Sequence, residues 1–68
     1  MLCIKTEIVM DSKGNTVCIT NTGNYIDSKD NECKIASVYS SEDDAMQIIN
    51  NLRKAGCEFM HCIIRSNI

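Results

Sequence analysis

Cys57, His61 and Cys62 form the string C-x3-H-C, the part of this chain whose residue types could most readily do chemistry. Thiolates and an imidazole can hold zinc, and a thiol beside a histidine can act as an activated nucleophile. The spacing argues against both. The surrounding run CEFMHCIIR (57 to 65) reads as a strand, where neighbours point to opposite faces, so His61 and Cys62 do not converge on one ion. Cys57 and His61 share a face but stand roughly 13 Å apart by strand rise, too far for a common metal. The same geometry leaves the thiols without a base, and no oxyanion-stabilising motif accompanies them. No metal, cofactor or catalytic residue is expected.

Glu42, Asp43 and Asp44 could serve as acid–base carboxylates or as metal ligands. A simpler account is that three acids at a helix start interact favourably with the positive end of its dipole. Gly14, Gly23 and Gly56 are isolated, so no glycine-rich phosphate loop exists. Tyr25, Tyr39 and Phe59 are too few and too scattered for a base-stacking platform. A chain this small offers little depth for a pocket of the usual roughly 300 Å³ or more. An enzyme is not expected, and a protein-binding module is the better class.

The elements that must position these residues follow from periodicity. LCIKTEIVM (2 to 10) alternates, with Leu2, Ile4, Thr6, Ile8 and Met10 on one side, which predicts a strand with one buried face. DSKGN (11 to 15) is a turn in which Gly14 or Asn15 supplies positive φ, and TVCIT (16 to 20) is a second strand. NTGN (21 to 24) reads as a second turn, with Tyr25 and Ile26 extending briefly beyond it, and DSKDNE (27 to 32) as a polar loop. CKIASVY (33 to 39) is a third strand. Ser41 is the expected N-cap, with Asp44 completing a capping box. Arg53 and Lys54 sit at the negative end of the helix dipole, and Gly56 stops the helix. Ala45, Ile48, Ile49, Leu52 and Ala55 form its apolar stripe. Residues 57 to 65 make a last strand, apolar on both faces and therefore expected at the centre of the sheet or beneath a second chain.

The predicted order is β-β-β-α-β: a single α+β domain over 1–68, with one amphipathic helix on one face of a three- to four-stranded mixed sheet. The strands flanking the helix should run parallel through a right-handed crossover. The open face should carry Cys3, Val9, Cys18 and either Phe59 and Ile63 or their neighbours. Such a patch marks a contact surface, and a homodimer through Cys3, Cys18, Phe59 and Ile63 is the expectation. No internal repeat, linker or low-complexity segment is read.

Sixty-eight residues make one domain that buries only roughly 60% of its unfolded surface. The cysteine count is odd and the N-terminus lacks a signal-peptide pattern, so the five thiols are read as reduced, in a cytoplasmic protein. No run is long enough to span a membrane. Ten isoleucines and seven asparagines suggest AT-rich coding, as in a low-GC bacterium or its phage or plasmid. The net charge of −2 is uneven: residues 27 to 44 hold six acids against Lys29 and Lys34, a net of −4. Direct nucleic-acid binding needs clustered Lys and Arg and is not expected.

From Ala36 to Gly56, ASVYSSEDDAMQIINNLRKAG resembles small phage and mobile-element proteins in which a β-meander passes into a capped amphipathic helix. Such proteins include anti-CRISPR inhibitors, and the resemblance implies docking on a host defence enzyme that handles nucleic acid. The expected function is therefore a non-enzymatic inhibitor or adaptor. It would engage a protein partner through Asp27, Asp30, Glu32, Glu42 and Asp43, with apolar anchors from the sheet. The alternative is a small self-associating regulatory or assembly subunit.

Overall fold

A computed structural model describes residues 2–68. The elements are β1 (Cys3–Met10), β2 (Thr16–Ile26), β3 (Glu32–Tyr39), α1 (Glu42–Lys54) and β4 (Met60–Asn67). The four strands form one mixed sheet in the order β3-β2-β1-β4, with α1 packed against it, an α+β fold in the predicted sequence of elements. The β1–β2 and β2–β3 pairs are antiparallel and the β1–β4 pair is parallel. β3 and β4 thus point the same way, as a crossover requires, but they occupy opposite edges of the sheet.

Two expectations are corrected. NTGN is not a turn: β2 runs unbroken through it for 11 residues. Asn21 is fully buried in a hydrogen-bonded network, and Gly23, at φ 144°, lies where an added Cβ would run into the Cys3 carbonyl oxygen. These residues serve burial and close strand approach rather than chain reversal. Of the two places expected for the last strand, the centre of the sheet is ruled out: it is an edge strand, because β1 already has β2 on its other side.

Contrary to the expectation of no internal repeat, the chain holds a short one. DSKGN (11–15) recurs as DSKDN (27–31), and each copy makes the same hairpin loop. The Asp11 carboxylate accepts from the Lys13 and Asn15 amides at 2.9 Å, and Asp27 accepts from those of Lys29 and Asn31 at 2.9 Å. The fourth position is left-handed in both loops, Gly14 at φ 82° and Asp30 at φ 67°.

The helix ends form as predicted. The Asp44 amide donates to Ser41 Oγ at 3.2 Å. At the other end the Gly56 amide donates to the Arg53 carbonyl and the Cys57 amide to that of Leu52, a Schellman closure with Gly56 at φ 86°. Ala45 packs with Ile8 and Ile19, Met10 and Tyr39 lie against them, and Ile4 and Ile49 are also fully buried. Helix and sheet approach most closely over β2 and β3. No helix among the described residues is long and apolar enough to cross a membrane.

Candidate interaction surface

Strand register assigns side chains to faces, since paired residues point the same way. Ile4, Thr6, Ile8, Ile19 and Asn21 lie under the helix, and the register partners His61, Ile63 and Arg65 of β4 continue the same face toward the edge. Cys3, Lys5, Glu7 and Val9 face the open side, together with Met60, Cys62, Ile64 and Ser66. Of the open-face alternatives, therefore, the neighbours Met60 and Ile64 are found there, and Phe59 and Ile63 are not. Phe59 packs edge-to-face with Tyr25, ring centroids 6.4 Å apart, and lies under the Arg53 guanidinium at 5.1 Å. Ile63 shares the helix-side row but remains 45% exposed beyond the helix. Lys5, Glu7, Thr20, Thr22, Asn24 and Lys34 break up the open face, so its exposed large apolar residues are Met60 and Ile64 on β4 and Val38 at the far edge. Cys18 is half-buried on that face.

The five acids proposed for partner contact divide into two groups. Asp27, Asp30 and Glu32 lie at the start of β3, and Glu42 and Asp43 lie beyond its end, roughly 23 Å away by strand rise. Asp27 is occupied in holding its own turn. The Asn31 and Lys29 amides keep its carboxyl below the usual carboxylate range, and the Cys33 thiol donates to it at 3.6 Å. Glu42 pairs with Arg65 at 3.0 Å across to β4. Asp30, Glu32 and Asp43 are exposed, and none of them is ion-paired among the described residues.

His61 is engaged in a buried polar chain. Thr6 Oγ1 donates to Asn21 Oδ1 at 2.7 Å and so accepts from His61 Nε2–H, also at 2.7 Å. Asn21 Nδ2 donates to the Ala45 carbonyl at 3.1 Å, tying sheet to helix. Burial, with Arg53 adding to it, lowers the His61 pKa below the usual histidine range. Because the Thr6 hydroxyl points its proton at Asn21, this chain satisfies buried groups rather than activating a nucleophile. Cys3 Sγ and Cys62 Sγ lie 3.7 Å apart on the open face, a thiol pair that spacing along the sequence could not reveal. Among the described residues no three His, Cys, Asp or Glu side chains converge as for a metal ion.

At the end of the sheet nearest the Asp27 turn, Leu2, Ile26, Glu58, Phe59 and Met60 line a cleft of about 480 Å³. Ile26 leads directly into the turn, pairs with Glu32, and exchanges backbone hydrogen bonds with Glu58 at 3.0 and 2.8 Å. No sequence pattern points to this cleft, because strand pairing alone brings positions 2, 26 and 58–60 together. No family model, curated protein or solved structure matches the chain.

Proposed function

We propose that the chain is a non-enzymatic protein-binding module, an inhibitor or adaptor that docks on a protein partner at the end of the sheet where the cleft meets the acidic turn. The observation that carries this reading is their adjacency: Ile26 is both a wall of the cleft and the residue leading into Asp27, Asp30 and Glu32. An apolar slot bordered by unpaired carboxylates suits a partner segment that offers an apolar anchor flanked by Lys or Arg. Basic surfaces of that kind are what nucleic-acid-handling enzymes present to phosphates, so a host enzyme of this class fits. Five free thiols suit a reducing compartment such as the bacterial cytoplasm.

The test is the double change Asp30→Asn with Glu32→Gln, which leaves the turn-holding Asp27 in place. Melting should stay nearly unchanged, since exposed charges contribute little to folding. Capture of the partner from host lysate, read by mass spectrometry, should weaken at least about tenfold, roughly 1.4 kcal/mol, and the remaining binding should become less sensitive to salt. Undiminished capture by the variant would overturn this reading. The free edge of β4 favours a second function, self-association.

A further inference from the structure

We infer that two copies of this chain pair through β4, antiparallel about a twofold axis at Ile64, to make one continuous eight-stranded sheet with both helices on the same face. This goes beyond the docking reading and does not depend on it. The inference starts from backbone direction. The Met60 amide donates to the Leu2 carbonyl and the Ile68 amide to the Met10 carbonyl, so even-numbered residues of β4 turn their N–H and C=O groups toward β1. Alternation then turns those of His61, Ile63, Arg65 and Asn67 outward, where the sheet ends. An edge strand with such a row of free donors and acceptors is a template for another strand unless charge, proline or a bulge blunts it. β4 carries one fixed charge, Arg65, and the chain has no proline.

Side chains select the partner and the register. Met60 and Ile64 on the open face, and Ile68 next in that alternation just past β4, are 56%, 41% and 78% exposed and stand at every fourth position. In the register centred on Ile64, each Met60 lies opposite Ile68 of the second copy, and the two Ile64 side chains meet at the axis. His61 then pairs with Asn67 and Ile63 with Arg65, so the outward backbone groups of all four residues find partners and no like charges meet. Shifting the centre to Arg65 sets two guanidinium groups opposite each other. Shifting it to Ile63 sets His61 against Arg65 and Met60 against Ser66, and shifting it to Cys62 leaves Arg65 and Asn67 unpaired. Only the Ile64-centred register satisfies charge, apolar matching and full strand overlap together, which makes a second copy the fitting occupant. Pairing would also add to a core that has just five fully buried apolar residues among those described.

Sedimentation equilibrium and amide hydrogen exchange on the unmodified chain, from about 1 μM to about 1 mM, test the inference. The mass should rise to twice that of the chain. The amides of His61, Ile63, Arg65 and Asn67 should slow at least about tenfold at high concentration, while the already bonded amides of Met60 and Ile68 change less. Ile64→Lys places two ammonium groups at the axis and should hold the chain monomeric with an unchanged melt at low concentration. Ile64→Cys should cross-link to itself on diamide oxidation. A chain that stays monomeric, or outward amides that exchange equally fast at both limits, would overturn the inference. A Cys62–Cys62 cross-link in the parent would overturn the register, because those residues would lie roughly 13 Å apart.

Discussion

Gly14 and Asp30 hold the same place in two copies of one turn, and both adopt left-handed backbone. Around Gly14 nothing lies within 4 Å of where a Cβ would stand, so any cost of substitution there is conformational rather than steric. Gly14→Ala should lose about 1–2 kcal/mol, some 4–8 °C of melting temperature per kcal/mol. Gly14→Asp makes the two loops identical and should lose clearly less, because a short polar side chain tolerates this conformation. Thermal melts of the two variants decide it, and equal losses would count against the equivalence of the loops. The first turn was legible because Gly14 and Asn15 announce it. The second read only as a polar loop, since Asp30 stands where a glycine would have declared the reversal. Asn21 and Gly23 misled in the opposite sense. Turn residues and close-approach residues are chemically the same, and only the partner strand tells them apart.

Among the elements, α1 was the most legible, because its cap, charge order, stripe and stop all agree. Its stripe is graded by the sheet beneath it. Ile49 is fully buried, Ile48 and Leu52 are half-buried, and Ala55 is exposed. Ile49→Ala should therefore cost about 2–5 kcal/mol and largely unfold the domain, and Ile48→Ala should cost clearly less. Comparable melts for the two would mean that the helix is rotated from the position described. β4 was legible as a strand but not as an edge, for apolar residues on both faces suit a buried strand and a self-pairing edge equally well. The acidic residues were legible by type, yet nothing along the chain revealed that the length of β3 holds them in two groups. The cleft had no sequence signal at all.

The molecule as a whole is thin, 43 × 20 × 14 Å, and its radius of gyration of 12.7 Å exceeds the roughly 11 Å of a compact chain this long. The Thr6–Asn21–His61 chain joins three strands and ties them to the helix through one hydrogen bond to the Ala45 carbonyl. His61 is the single histidine, and burial lowers its pKa in the fold, so just below about pH 6.5 the unfolded chain binds more protons than the folded one. Stability should be fullest above that pH and should decline as pH falls toward the lowered folded value. Denaturant titrations at pH 7.5, 6.5 and 5.5 should show this decline in the parent and a flatter profile in His61→Gln. Equal slopes would remove His61 as the source. The topology has one further consequence, in the order of events during folding. The two hairpins close over short stretches, whereas the β1–β4 ladder joins Cys3 to Met60, the most distant pairing in the sequence. Loop-closure entropy weighs more on that ladder than on either hairpin, which predicts that it zips after them. The strand offered to a second copy is thus also the one whose brief departure would uncover Thr6, making β4 the place where proteolysis and assembly compete.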